Sequence, residues 1–237
     1  MSAPWLIGCE ESGRVRDAFL ALGIPAVSCD LLPSRSAAGE HIQGDIFEAL
    51  AARKWAGLIA FPTCTYLTRA AEWAYGDGPY HQRVKPETLV GAERRRARAE
   101  AITFVLRLWN CGIERVAIEN PVGVLSHHLG RPQVIQPYMF GDDASKATCF
   151  WVKGLPPLAI PARANWCAPR MVARSAAMGK SDRVNGHQGE EYLPRWANQT
   201  DSGQNRLSPG PDRQRDRSET FPGIARATAE QWGRAHG

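Results

Sequence analysis

The sequence has no paired cysteines, no long apolar run and no glycine-rich phosphate loop. Its six cysteines are scattered without a C-x-x-C pair, so the spacing of a zinc site is absent and no metal centre is expected. No apolar stretch approaches the roughly 20 residues that span a bilayer, and no basic segment precedes an apolar run near the first residue. Neither G-x-G-x-x-G nor a Walker A motif occurs. These absences predict a cytoplasmic protein without a metal, a membrane contact or a bound pyrophosphate.

The charge is moderately basic and unevenly placed. The net charge is +5 and the isoelectric point is near 9.0. Residues 1–158 carry 17 basic and 16 acidic side chains, whereas residues 159–237 carry 12 and 8. A basic second half suits contact with a polyanion, because neutralising phosphates releases counterions. A solvated loop face has the same composition, so charge alone leaves both interpretations open.

Strand and helix signals alternate over residues 1–158. The hydrophobic content of 43% and charged content of 22% are globular values. The alternation predicts an α/β fold with a doubly wound, mostly parallel sheet. The predicted strands cover residues 5–8, 25–30, 58–61 and a run ending at Glu119, and the predicted helices cover 13–22, 46–52 and 86–109, the first with Ser12 as its N-cap.

Beyond residue 158 the periodicity fades. Gly, Pro, Asn and Arg dominate residues 159–216, which predicts an irregular basic region. A last helix is expected over residues 223–232, because Pro222 suits a helix start and apolar residues follow at helical spacing. The sequence therefore predicts three units: a core at 1–158, a small insertion at 159–216 and a C-terminal helix at 217–237 that returns to the core.

Two apolar runs end in residues that can react. Residues 57–60 lead to a Phe-Pro-Thr-Cys sequence that ends at Cys64, and residues 115–118 lead to Glu119. Ligands and chemistry collect at the carboxyl ends of parallel strands. A thiolate there is a nucleophile suited to an electron-poor ring carbon, and a carboxylate among apolar residues gains a raised pKa that suits an acid. Taken alone, such a cysteine is also compatible with an inert core position.

Acidic residues follow the first two predicted strands and a further short strand that is expected just before Gly44. Residues 8–13, Gly-Cys-Glu-Glu-Ser-Gly, form a strand-to-helix turn. Asp30 ends the second strand about twenty residues later, where a carboxylate can hold ribose hydroxyls, and Asp45 could hold an adenine amino group. This pattern predicts a nucleoside-type ligand, although ordinary helix caps would also explain Asp30 and Asp45.

The order of these motifs resembles the cytosine-C5 DNA methyltransferase family, in particular its short phage and prophage members. The resemblance rests on residues 9–13, 28–30, 44–45, 61–64 and 118–121, and continues at 134–138, 140–141, 146–149, 154–158 and 217–225. It covers nearly the whole chain. Three departures stand out: Thr63 replaces the usual proline before the cysteine, residues 9–13 replace the glycine-rich first motif, and Lys146 stands in for an arginine of the missing Gln-x-Arg-x-Arg.

The resemblance implies S-adenosylmethionine-dependent methylation of cytosine C5 in DNA on a Rossmann-like methyltransferase sheet. Cys64 would add to C6 of a flipped cytosine while Glu119 bonds the N3 and amine edge. Flipping is needed because the target atom is unreachable within a stacked duplex. The further catalytic residues implied are Asn120 and Lys146. The implied cofactor-binding residues are Cys9, Glu10, Glu11, Ser12, Gly13, Asp30, Leu31, Asp45, Ile46, Pro62 and Phe221.

The implied DNA contacts are basic. Long loops in compact domains are often lids, so residues 65–85 are expected to form a mobile loop that closes over DNA, with Arg69, Arg83 and Lys85 near phosphates. The expected recognition surface comprises Arg163, Arg170, Lys180, Arg183, Arg195 and Arg206, and a restriction-modification role is implied. Two alternatives remain open. One is a pyrimidine methyltransferase acting on RNA or a free nucleotide; the other is a degenerate relative, marked by Thr63, that binds cofactor or DNA without turnover.

Overall fold

A computed structural model describes residues 2–81, 83–174, 191–207, 210 and 213–234. Its central sheet contains seven strands, each a short apolar segment of the sequence. In chain order they are β1 (Trp5–Gly8), β2 (Ala26–Asp30), β3 (His41–Gln43), β4 (Gly57–Ala60), β5 (Val116–Asn120), β6 (Gln133–Ile135) and β7 (Thr148–Lys153). In space the order is β3-β2-β1-β4-β5-β7-β6.

Six of these strands are parallel, and β7 runs antiparallel between β5 and β6. The chain starts in the middle of the sheet, winds outward to β3, and then crosses back to β4 and β5. This confirms the predicted fold class, a doubly wound, mostly parallel α/β sheet with a Rossmann-like order of strands. The reversal of winding falls between β1 and β4, where open α/β sheets form their ligand crevice.

Helices cover both faces because side chains alternate across each buried strand. On one face, Trp5 and Ile7 of β1 pack with Phe19 of α1 (Arg14–Ala21) and Trp232. On the other face, Leu6 packs with residues of α2 (Ile46–Ala52) and α3 (Gly91–Trp109). Near the sheet edge lies a single-turn helix, α4 (Ser126–Leu129).

Two helix starts differ from the sequence expectation. The helix expected from residue 86 begins at Gly91, because Glu87 and Gly91 have positive φ values of 65° and 55° that interrupt a helical path. The N-cap of α1 is Gly13, with φ 75°, although the Ser12 hydroxyl accepts a hydrogen bond from the Arg14 amide of the first turn (3.3 Å). The carboxylate of Glu10 also accepts a hydrogen bond from the Val15 backbone amide (2.7 Å).

The region 159–216 is not wholly irregular. It contains an antiparallel hairpin of β8 (Arg170–Ala173) and β9 (Tyr192–Arg195). A short helix, α5 (Arg213–Ser218), crosses the boundary expected at residue 217. The last helix, α6 (Pro222–Thr228), continues as a π-helical turn over Ala229–Gly233. The division of the chain into three units stays a prediction.

Candidate functional site

Cys64 and Glu119 lie at the carboxyl ends of two neighbouring parallel strands. Ala60 at the end of β4 pairs with Ile118 of β5, so the residues that follow both positions leave the sheet at one edge. Both side chains are half-buried. The Glu119 charge is close enough to raise the pKa of the Cys64 thiol. The thiol and the carboxylate that the sequence placed separately therefore face the same site.

Two contacts join the loops that follow these strands. The buried Asn120 side-chain amide donates a hydrogen bond to the Pro62 carbonyl (2.8 Å). The Val124 backbone amide donates to the Leu67 carbonyl (2.9 Å). A Cβ atom at position 123 would lie 1.9 Å from the Leu67 oxygen, so only glycine allows this approach. The position of Cys64 relative to Glu119 is thus fixed by backbone and amide contacts.

The protonation of the pair is set mainly by burial. Burial raises the pKa of the Cys64 thiol, the Glu119 charge raises it further, and the charges of Lys146 and Arg217 lower it. Burial also raises the pKa of Glu119, and Lys146 opposes that shift. Since the Glu119 charge adds to the effect of burial on the pKa of the thiol, a proton on Glu119 favours the thiolate. The protonation states of Glu119 and Cys64 are thereby coupled.

Lys146 reaches this site from β7. Asn120 pairs with Cys149 across the β5–β7 ladder, so the residues just before β7 lie beside the carboxyl end of β5. Among the described residues, the Glu119 carboxylate accepts no hydrogen bond. The Lys146 ammonium group and the Glu119 carboxylate, which lie side by side, can bind the polar edge of a ring.

The turn after β1 is compact and strained. Cys9 has φ 56°, a value uncommon for a residue other than glycine. Burial, followed by the charge of Asp30, raises the pKa of its thiol to about 12, so Cys9 is not a nucleophile at neutral pH. Glu10 is buried, and its Oε1 also accepts from the Ser12 hydroxyl (3.1 Å). Its Oε2 is buried and has no partner within the described residues.

The Glu11 carboxylate holds the C-terminal segment. It accepts two hydrogen bonds from Arg215 of α5, at 2.7 and 2.9 Å. Arg35 lies 3.8 Å from the same carboxylate and 3.4 Å from Glu219, which also pairs with Arg14 at 2.5 Å. The Glu11 side chain joins three segments of the chain. The expected contact of Glu11 with a cofactor would therefore use its backbone atoms.

The ends of β2 and β3 carry the residues expected to bind a nucleoside. Asp30 is half-buried, and one carboxylate oxygen accepts from the Leu32 amide (2.9 Å). Leu31 beside it is 73% exposed, which is unusual for a leucine at a strand end. Asp45 caps α2 by accepting from the Phe47 amide (2.6 Å). Ile46 packs under Gly8, where a Cβ would meet its Cδ1 at 2.1 Å.

These residues fit S-adenosylmethionine. Asp30 and Asp45 each keep one carboxylate oxygen free of the hydrogen bonds above, and the exposed Leu31 offers an apolar surface for a base. The orphan Glu10 Oε2 is an acceptor suited to an ammonium group. Phe221, the N-cap residue of α6, is half-buried and packs against the hydrophobic core.

The first half of the segment 65–85 is fastened to α3. Arg98 donates to the Tyr66 carbonyl (2.9 Å), pairs with Glu72 (2.7 Å) and lies 3.4 Å above the Tyr75 ring. Arg94 is buried beneath Tyr66 and Tyr75. Arg95 of α3 also pairs with Asp77 (2.9 Å), and motion of the segment stays a prediction. Arg69, Arg83 and Lys85 are exposed, with no ion pair among the described residues.

The basic surface expected in the second half is partly used internally. Arg170 pairs with Asp201 (2.7 Å), Arg195 donates to the Asp201 carbonyl (2.9 Å), and Arg206 donates to the Gln199 carbonyl (2.8 Å). Arg163 is exposed beside the Trp166 ring. Lys180 and Arg183 lie outside the described residues.

Four residues at or near the site were missed by sequence reasoning. Arg94 and Arg98 belong to an arginine-rich stretch of α3, which does not distinguish them from exposed neighbours in the sequence. Asn198 gives no signal, because its contact joins distant parts of the chain, and Arg217 lies in the segment 217–225 without being singled out. In the described part of the chain, no group of three His, Cys, Asp or Glu side chains could hold a metal, and no helix could cross a membrane.

Comparison with known proteins gives limited information. No protein-family model and no curated protein matches the chain. Among solved structures, a mutant of DNMT2 from Spodoptera frugiperda overlaps with a TM-score of 0.38 and 13% identity. The overlap covers 64% of this chain and 50% of that one, so it spans about half of the solved protein. An overlap of this size identifies neither a family nor an activity.

Proposed function

We propose that the protein is an S-adenosylmethionine-dependent methyltransferase that acts on C5 of cytosine in DNA, as the short phage-type members of that family do. One observation carries the proposal. Cys64 and Glu119 face one another at the carboxyl ends of β4 and β5, and the charge of Lys146 acts on both. A nucleophile beside an acid whose pKa is raised is the arrangement that addition to a pyrimidine ring requires.

The chemistry of the pair follows from its electrostatics. Glu119, which burial keeps protonated to a higher pH, would give its proton to N3 of the cytosine and become a carboxylate. The Cys64 thiolate would then form a bond to C6, and the electron pair of the 5,6 double bond would become available at C5, where the methyl group is added. A solvent base would remove the C5 proton, the Cys64–C6 bond would break to release the thiolate, and the Glu119 carboxylate would take back the N3 proton, which restores the aromatic ring.

The cofactor would occupy the crevice above β1, β2 and β3. When bound, S-adenosylmethionine supplies an electrophilic methyl group. Asp30 would bind its ribose, Leu31 and Ile46 would line the base, and Asp45 would accept from the adenine amine. Residues 9–13 would shape the turn beneath its methionine end. Pro62, whose carbonyl accepts a hydrogen bond from Asn120, would border this crevice on the side of Cys64.

The nucleic-acid partner is proposed from the exposed cations around the site. Arg69, Arg83 and Lys85 follow Cys64 on the segment 65–85. Arg163 lies beside Trp166 within residues 159–216, which are called the small unit below. Cations interleaved with aromatic rings suit phosphates and unstacked bases. The residues 159–216 would act as a minimal target-recognition region, which fits a basic half-chain.

Nucleoside mass spectrometry of DNA from cells that overexpress the protein tests the proposal. We expect 5-methylcytosine above background with the wild type and none with Cys64→Ala, since the covalent bond to C6 cannot form. Cys111→Ala is the matched control, because Cys111 is a half-buried cysteine between α2 and α3, far from the pair. Undiminished product from Cys64→Ala would contradict the role of the thiol.

Purified protein separates the substrate classes. Methyl transfer to duplex DNA is compared with transfer to single strands, tRNA and dCMP under identical conditions. Turnover on DNA supports the proposal, whereas turnover confined to tRNA or dCMP would contradict the DNA substrate and keep the enzyme class. Cofactor binding without turnover on any of them would indicate a degenerate relative.

A further inference from the structure

The segment that carries Lys146 is held by the small unit, which follows β7 in the sequence. Residues 136–146 run from β6 to β7, and this connection has little regular structure beyond one 3-10 turn, Pro137–Phe140. Lys146 is the third residue before Cys149, the partner of Asn120 in the ladder. A long, flexible lysine side chain that starts from a connection of this kind needs external support to keep its ammonium group in one place.

Asn198 supplies that support with two hydrogen bonds to a single residue. Its side-chain oxygen accepts from the Ser145 amide (3.0 Å), and its side-chain nitrogen donates to the Ser145 carbonyl (2.9 Å). Such a pair mimics a strand contact and fixes both backbone groups of the residue directly before Lys146. The half-buried location of Asn198 limits competition from water.

Three further contacts bring the two segments together. Trp196 stacks on Tyr138 with ring centroids 4.3 Å apart and planes inclined by 12°. The Ala197 amide donates to Asp143 (2.9 Å), and the Cys167 amide donates to the Tyr138 carbonyl (2.8 Å). The two hydrogen bonds between Asn198 and Ser145 are therefore part of a larger contact between the two segments. They are the part of that contact nearest in sequence to Lys146.

We propose that Asn198 is a positioning residue that holds Lys146 beside Cys64 and Glu119, and so links the small unit to the reacting pair. Asn198 acts through the Ser145 backbone and touches no reacting atom. Its contribution to methyl transfer rests on the proposed function, but its effect on the Cys64 thiol does not. A ligand that displaces the small unit would move the lysine and change the reactivity of the thiol.

The direct test measures the reactivity of Cys64 in the full-length protein. The rate of iodoacetamide alkylation of Cys64, resolved from the other cysteines by peptide mass spectrometry, is recorded from pH 6 to 10. We expect Asn198→Ala to raise the apparent pKa of the thiol and to slow its alkylation at pH 8 by about threefold to tenfold, because the Lys146 charge that lowers the pKa of the thiol is no longer held beside it. Asn205→Ala is the control, since among the described residues its side-chain amide bonds only the nearby Leu207 backbone, whose N–H donates to it (2.8 Å).

A double-mutant cycle separates positioning from general loss of structure. If Asn198 acts through Lys146, Asn198→Ala has no further effect in a Lys146→Gln background. An equal effect in both backgrounds, or an unchanged pH profile in Asn198→Ala alone, would overturn the proposal. In methyl-transfer assays the expected change is a lower kcat with an unchanged KM for the cofactor.

The two proposals fail in different ways. Absence of methyl transfer by the wild type on every nucleic acid would reject the proposed function, while the alkylation profile still decides the role of Asn198. A coupled effect on the thiol with no turnover would support Asn198 alone. Normal turnover with an unchanged profile in Asn198→Ala would reject the positioning role and keep the function.

Discussion

Glu10 is an acidic residue with its charge in an unfavourable place. It is 5% exposed, and burial raises the pKa of its carboxyl to about 7, against the hydrogen bonds from Val15 and Ser12 that lower it. In the unfolded chain the same group titrates near its ordinary pKa of 4.5. The folded protein therefore binds a proton that the unfolded protein has released between pH 4.5 and 7.

The stability of the fold should fall as Glu10 loses its proton. The raised pKa adds stability that is fully present below pH 4.5 and is lost as the pH rises to about 7. Between pH 5 and 8 we expect the unfolding free energy of Glu10→Gln to rise relative to that of the wild type by about 2–3 kcal/mol, because one pKa unit corresponds to about 1.4 kcal/mol. Urea unfolding at a series of pH values measures this. Glu48→Gln, on an exposed face of α2, is the control, and parallel pH profiles for Glu10→Gln and wild type would contradict the expectation.

At the scale of elements, the ends of β4 and β5 are joined by the loops that follow them. Gly123 lets the chain after β5 cross the Leu67 carbonyl, and the bridge between Thr68 and Gly123 continues this contact. The loop after β4 also accepts hydrogen bonds from Arg98 of α3, at the carbonyls of Tyr66 and Thr68. Cys64 is therefore held in place by the packing of this loop against α3 and against the loop after β5.

Replacing Gly123 by alanine should damage both stability and the site. The added Cβ meets backbone atoms of Leu67 at 1.9 and 2.9 Å, which cannot rotate away, so the two loops must separate. Overpacking of this kind costs about 1–3 kcal/mol, and we expect slower alkylation or turnover at Cys64 as well. Gly210→Ala is the control, since no atom of the described residues lies within 4 Å of its added Cβ. Wild-type melting and thiol reactivity in Gly123→Ala would contradict the prediction.

Four strands, β1, β2, β4 and β5, were predictable because each is a short apolar run with a clear polar end, whereas β6 and β7 were not predicted. The sheet order follows from their alternation with helices, and the placement of Cys64 and Glu119 follows from that order. The start of α3 was not predictable, since left-handed residues at Glu87 and Gly91 decide it. The same holds for Asn198 and Arg215, whose partners lie 53 and 204 residues away in the sequence.

At the scale of the whole molecule, an ion-pair network joins three distant segments beside the proposed cofactor crevice. Glu11 and Arg14 belong to the turn after β1, Arg35 to the loop after β2, and Arg215 to α5. The Glu11 side chain is only 12% exposed, so the bidentate contact is better shielded than a free surface pair. The C-terminal segment is thereby tied to the two loops expected to bind the cofactor.

Loss of this tie should weaken cofactor binding. We expect Arg215→Ala to reduce the affinity for S-adenosylmethionine by about threefold to fivefold, roughly 1 kcal/mol, because the turn after β1 loses its restraint. Isothermal titration calorimetry measures the change. Arg53→Ala removes an exposed ion pair with Glu40 and serves as the control. An equal loss in both variants would indicate a general effect of charge.

The packing of α6 has a consequence for the order in which the protein is made. Trp232 and Ile224 cover Trp5 of β1 and Phe19 of α1, and the Trp232 indole donates to the Pro156 carbonyl (2.9 Å). A ribosome synthesises β1 long before it reaches α6. Until then the part of this face that Trp232 and Ile224 cover remains exposed, so the nascent chain depends on chaperones or on slow compaction. This face is completed only after every strand of the central sheet has been translated.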